Sequence, residues 1–159
     1  QMFYLLGKTY DKLQTFVPIQ EYQIDYYKNR FLKYINPGFI KCVTDENDEL
    51  VAFAITMPSF SNALKKIKGK VDLIGKLRLL HAKNFNSKGS LYLIGVRPDF
   101  QNKGVIAILF NELQKFYNKF GITEVETNPE LIENTAIQQL WKNYENNQHK
   151  NRATFTKQI

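Results

Sequence analysis

The sequence predicts an α/β (α+β) domain in which helices and strands alternate along one chain. Three observations carry this. Residues 91–96 (Leu91-Tyr92-Leu93-Ile94-Gly95-Val96) are apolar on both faces, as in a strand covered on both sides. After a polar turn the period changes, and Ile106, Leu109, Phe110, Leu113, Tyr117 and Phe120 recur at helical spacing. Upstream, the β-rich runs 39–44 and 50–57 flank Asp45-Glu46-Asn47-Asp48-Glu49, which reads as an antiparallel hairpin.

Taken in order, residues 1–10 read as a short strand or the end of a preceding segment. Pro18 opens a helical pattern with Ile24, Tyr27, Phe31 and Ile35 on one face, ended by Asn36-Pro37-Gly38. Tyr22, Tyr26 and Tyr27 are half-buried packing residues on this reading. Cys42 falls in the first hairpin strand as a small core residue, and Pro58 closes the second strand. Residues 60–86 predict one further helix, with Leu64, Ile67, Val71, Ile74 and Leu77 as its apolar stripe, weakened by Gly69 and Gly75. Lys65, Lys66, Lys68, Lys70, Lys76, Arg78 and Lys83 face a single acid there, Asp72. Gly121 is the expected cap of the helix that begins at Val105. A strand over 122–127 follows, with Glu124 and Glu126 on one face. Asn134 begins a helix with Ile137, Leu140, Trp141 and Tyr144 as its stripe, and residues 153–159 form a last strand.

At 159 residues the chain suits one domain, residues 1–159, able to bury roughly 70% of its unfolded surface. A hydrophobic content of 43% and an aromatic content of 14% describe a chain with a core. No apolar run approaches the ~20 residues of a membrane helix, and the chain begins Gln1-Met2, so it is expected to continue upstream. The single Cys42 excludes an internal disulfide and suits a reducing, cytoplasmic setting. With His81 and His149 far apart, no zinc set of familiar spacing can be assembled, so no metal is expected. The net charge of +7 points to anionic partners. The basic 65–83 helix could meet an acidic carrier protein or an anionic surface. Nucleic acid is not favoured, because interleaved aromatics and a recognition helix are both missing.

Between strand and helix lies Gln101-Asn102-Lys103-Gly104. Unpaired amides at a helix start carry about +0.5 charge and attract anions. Gly104 lets an anion approach the backbone, and Lys103 adds a formal charge. This strand–loop–helix is an anion cradle. Val96-x-Pro98 followed by Gln101-x-x-Gly104 resembles the acyl-CoA signature of the GNAT superfamily of N-acyltransferases. The family pattern continues Gly-x-Gly/Ala, and Ile106 stands at the last position here; its side chain either crowds the pyrophosphate or turns into the core. The resemblance implies a central mixed, mostly antiparallel sheet flanked by helices, with the basic helix as an extra between strands 3 and 4. The family's first strand is not visible, which again points to sheet supplied from upstream.

The resemblance further implies acetyl-CoA or a longer acyl-CoA as donor and a small-molecule amine as acceptor. The cofactor would lie along Ile94, Gly95 and Val96 and on Gln101, Asn102, Lys103, Gly104, Val105 and Ile106. Tyr22, Tyr26 and Tyr27 would then line the acceptor pocket. Transfer to an amine needs a polarised carbonyl, a neutral amine and a protonated leaving thiol. Backbone amides at residues 94–96 would polarise the carbonyl. Glu126, at the carboxyl end of the next strand, is the candidate base. Asn134 either holds the pantetheine or is a plain helix N-cap. The family's proton-donating tyrosine would fall at Trp141, whose indole is a poor acid, so Tyr144, one turn on, is the candidate donor. The alternative is an inactive acyl-CoA-binding or interaction module of the same fold.

Overall fold

The hairpin comes first, because the rest of the sheet is built on it. The computed structural model describes residues 1–10, 17–30, 35–132, 134–153, 155 and 157. Strands β1 (Ile40–Thr44) and β2 (Leu50–Pro58) are antiparallel, with Cys42 opposite Phe53. Asp45 makes the turn: its carboxylate accepts from the amides of Asn47 and Glu49, each at 3.0 Å. β2 then pairs antiparallel with β3 (Lys88–Val96). The sheet order is β1-β2-β3-β4, with β4 spanning Glu124–Thr127. β3 and β4 start side by side: the Thr123 amide donates to the Ser87 carbonyl at 2.8 Å, and Lys88 pairs with Glu124 at 2.7 Å. That is the arrangement of a parallel pair joined by a helical crossover. The result is a mixed sheet flanked by helices, as the family resemblance implies.

The crossover is α5 (Val105–Phe120), and its stripe Val105, Leu109, Leu113 and Tyr117 is buried on one face of the sheet. Gly121, at φ 69°, ends it, and the Ile122 amide donates back to the Tyr117 carbonyl at 2.9 Å. On the other face, Leu5 and Leu6 pack with Phe53 and Ile55. These leucines belong to α1 (Met2–Tyr10), so residues 2–10 are helical, not a strand. Met2, Leu5, Leu6 and Tyr10 lie at helical spacing, and only the sheet face they cover reveals that spacing as meaningful. Helix α2 (Glu21–Arg30) buries none of its residues. Tyr22, Tyr26 and Tyr27 are exposed, with Tyr26 and Tyr27 edge to face at 5.8 Å. Phe31 lies outside the described residues. Cys42 is exposed rather than in the core, because it alternates outward on the edge strand.

The basic stretch differs most from expectation. It is two helices, α3 (Ser61–Ile67) and α4 (Leu73–Asn84), not one. Lys68 and Gly69 take left-handed conformations at φ 49° and 79° and break the chain there. Asp72 restarts it by capping α4, its carboxylate accepting from the Gly75 amide at 2.7 Å. Gly75 does not weaken the helix so much as let the linker pass: a Cβ there would stand 2.6 Å from the Lys70 carbonyl oxygen. Of the expected stripe only Ile67 is buried, while Leu64, Val71, Ile74 and Leu77 face outward.

The chain divides into two compact units, 1–126 and 127–159. The second holds α6 (Thr135–Trp141), which is shorter than its sequence stripe. Tyr144 falls after it in a turn and is exposed, so it is not part of the helix. The described residues within 153–159 form no strand.

Candidate functional site

The anion cradle sits at the carboxyl end of β3. A 3-10 turn (Pro98–Phe100) leads into Gln101, and Gln101 Nε2 donates back to the Val96 carbonyl at 3.4 Å. Asn102, at φ 61°, and Gly104, at φ 77°, are both left-handed, which turns the chain sharply into α5. Gly104 is needed for that backbone and not for packing, since a Cβ there would meet nothing within 4 Å. The space beside Gly104 is therefore open. No side chain caps α5. Ala107 and Ile108 donate to the Gly104 carbonyl at 3.0 and 3.3 Å, which leaves the Val105 and Ile106 amides to point forward. Lys103 stands beside them with its ammonium 5.3 Å from the Phe100 ring. Ile106 packs with the cluster of Val51, Ala52, Val96 and Val105. Its side chain turns into the core and leaves the cradle clear.

Arg97 fastens this loop to the β1–β2 turn. Its guanidinium donates to Asp99 at 2.9 Å and to Asp45 and Glu49 at 3.2 Å each, and lies 4.5 Å from the Phe100 ring. The Asp99 hydrogen bond, with the nearby carboxylates, holds Arg97 above its ordinary pKa. Asp45 is held below the usual carboxylate range, first by the Glu49 amide, then by the Asn47 amide and by Arg97. Sequence reasoning missed this clamp, because two of its three acids lie 48 and 52 positions upstream of Arg97. An arginine just before Pro98, with an acid-rich turn in the preceding hairpin, was the available signal.

The strand before the loop has a free side. Arg97 N–H donates to the Val51 carbonyl at 2.8 Å, and in this register Gly95 and Leu93 also bond to β2. Ile94 and Val96 therefore point their backbone groups away from β2. The four residues of β4 start beside Lys88 and stop well short of them along the nine-residue β3. Instead, Tyr10 Oη donates to the Ile94 carbonyl at 2.9 Å and Thr9 Oγ1 to the Val96 carbonyl at 3.3 Å. The amides of Ile94 and Val96 lie on this same side of the strand, away from β2. Tyr10 was not picked out from sequence because it lies 84 positions from its partner.

Glu126 is half-buried on β4, two residues past the Lys88-bound Glu124. In the second unit, Asn134 stands at the start of α6, but its side chain makes no capping hydrogen bond. The Trp141 indole N–H donates to both carboxylate oxygens of Glu130, at 2.9 and 3.1 Å. The Tyr144 ring lies 6.3 Å from the Trp141 ring. No group of three or more His, Cys, Asp or Glu side chains could hold a metal among the described residues, and none of their helices is long and apolar enough to cross a membrane.

Residues 7–144 match the model of the acetyltransferase (GNAT) family. Among solved structures, the chain resembles an aminoglycoside acetyltransferase from an uncultured soil metagenomic sample, solved with trehalose. The TM-score is 0.53 at 10% identity over 99% of this chain and 88% of that one. It also resembles an aminoglycoside antibiotic 6'-N-acetyltransferase of Acinetobacter haemolyticus, with TM-score 0.56, 13% identity and coverage of 98% and 94%. A third is AAC(6')-Iy bound to the bisubstrate analogue CoA-S-monomethyl-acetylneamine, with TM-score 0.56, 13% identity and coverage of 99% and 91%. No curated protein matches the chain significantly.

Proposed function

This chain belongs to the GNAT acetyltransferase family, and on that premise we propose that it moves an acyl group from acyl-CoA to an amine of a small molecule in the cytoplasm. The observation that carries the reading is the open cradle at Gly104, with Ile106 turned inward. The pyrophosphate would lie on the amides of Val105 and Ile106, with Lys103 as counter-charge and Gln101 and Asn102 shaping the turn. The pantetheine arm would follow the free side of Ile94, Gly95 and Val96. Acyl-CoA is preferred to an acyl carrier protein as donor, because the cradle suits a pyrophosphate.

In the reaction the amine nitrogen attacks the thioester carbonyl carbon, and the C–S bond breaks as the amide C–N bond forms. The Ile94 and Val96 amides would stabilise the developing oxyanion. Glu126 would accept the proton that the amine loses, directly or through a water. The leaving thiolate must take up a proton, and Tyr144 is the donor that the sequence offers. Trp141 is unsuited to that role, being a poor acid whose N–H is already given to Glu130. That indole bond also favours a second reading, a module that binds acyl-CoA without transfer.

Thermal unfolding with acetyl-, medium- and long-chain acyl-CoA tests the proposal. A ligand at one hundred times its Kd stabilises by about 2.7 kcal/mol, which raises Tm by about 5–10 °C in a domain of this size. Gly104→Glu should abolish the rise by placing an anion in front of the helix amides. No rise with any acyl-CoA removes both readings. A rise without thiol release, across a panel of amines, selects the binding module.

A further inference from the structure

The α3–α4 hairpin has no part in the chemistry above, and it carries the most unusual surface of the first unit. Helix α4 packs inward through Gly75, Leu79 and Ala82. At helical spacing the opposite side is Leu73, Leu77 and Leu80 with Ile74 at its edge, and these are 75, 59, 55 and 60% exposed. Phe85, just past the helix, is 73% exposed and stacks on His81. Lys76 and Lys83 flank this stripe on one side and Arg78 on the other. Lys65, Lys66, Lys68 and Lys70 lie exposed on α3 and the linker. Among the described residues none of the six lysines from Lys65 to Lys83 is in an ion pair, and the single acid, Asp72, is used to cap α4.

We propose that this hairpin docks on an anionic lipid membrane, with α4 lying in the plane of the interface. An exposed apolar stripe between basic side chains is the pattern of an interfacial helix: leucines enter the acyl boundary while lysine stems reach to the headgroups. A nucleic acid would use the charge but leave the leucines in water. A convex helix with apolar centre and cationic flanks suits a flat, anionic, deformable surface better than a rigid acidic protein. The anion cradle lies at the other end of β3, so a docked hairpin leaves it accessible.

Vesicle flotation tests this, using phosphatidylcholine vesicles with and without phosphatidylserine. The chain should float with the phosphatidylserine vesicles only, and added salt should release it. Lys76→Glu with Lys83→Glu should weaken binding by at least about 25-fold, about five-fold for each lysine removed. Leu77→Gln with Leu80→Gln should weaken it by about ten-fold or more with Tm unchanged, because both side chains are exposed in the free protein. Gly104→Glu should float like the unaltered chain, which separates this test from that of acyl-CoA binding. Failure to float at low salt overturns the proposal. So does floating that ignores the leucine changes, which would reduce the surface to diffuse charge. Capture of an acidic acyl carrier protein under salt that abolishes vesicle binding assigns the surface to a protein instead. Concentration-dependent dimerisation removed by the leucine changes, without lipid binding, assigns it to a second copy.

Discussion

Helices α4 and α5 obey the same periodicity and have opposite surroundings. In α5 the apolar stripe Val105, Leu109, Leu113 and Tyr117 lies on the sheet and is buried. In α4 the comparable stripe Leu73, Leu77 and Leu80 faces outward, while Gly75, Leu79 and Ala82 pack inward. The difference comes from connection. α5 joins two neighbouring parallel strands, so its crossover must lay it across the sheet. α4 joins antiparallel neighbours β2 and β3, which need no covering helix, and it packs only through the narrow face that meets α3 and β2. Periodicity therefore tells which residues share a face, and the connection decides whether that face is covered.

The contrast can be broken first at the chemistry. If the reaction belongs to the β3–β4–α5 region, Glu126→Gln should lower turnover by ~10²–10⁴ while leaving the acyl-CoA-induced rise in Tm intact. Glu124→Gln, at the surface pair with Lys88, should leave turnover unchanged. Equal losses in the two variants would count against Glu126 as base.

Packing gives the next effect. Leu109→Ala empties a site that is 1% exposed and should cost about 2–5 kcal/mol, a fall of about 4–20 °C in Tm. Leu77→Ala on α4 should stay within about 0.5 kcal/mol. A large loss at Leu77 would show that something in solution covers the α4 stripe. Gly75→Ala should cost about 1–3 kcal/mol, since the new Cβ meets the Lys70 carbonyl, yet leave the acyl-CoA response unchanged. Loss of that response would mean the hairpin and the cradle are coupled.

The smallest effect is in pH. Asp45 has a lowered pKa in the folded chain, so its contribution is present above its ordinary value of 3.8 and fades as pH falls through the folded value. The Tm gap between the unaltered chain and Asp45→Asn should therefore be widest near neutrality and close in acid. A gap constant down to acid pH would mean the Arg97 clamp does not depend on that charge.

Some of this was legible because it is local. The turn 101–104, the Gly121 cap, the hairpin and the stripe of α5 all rest on contacts within a few residues, and propensity and spacing report those directly. The cradle belongs to this group, since backbone amides, a glycine and a lysine make it. What only the tertiary structure decided is non-local. Residues 2–10 become a helix because Leu5 and Leu6 find Phe53 and Ile55. Ile106 turns inward because Val51 and Ala52 leave it a place. Arg97 becomes a clamp because a hairpin turn returns to it with Asp45 and Glu49. Tyr10 reaches the Ile94 carbonyl because β4 ends before it can pair there. Sequence spacing carries the period of an element, but which surface the element meets depends on loop closures between distant residues, and that appears only once the chain has folded.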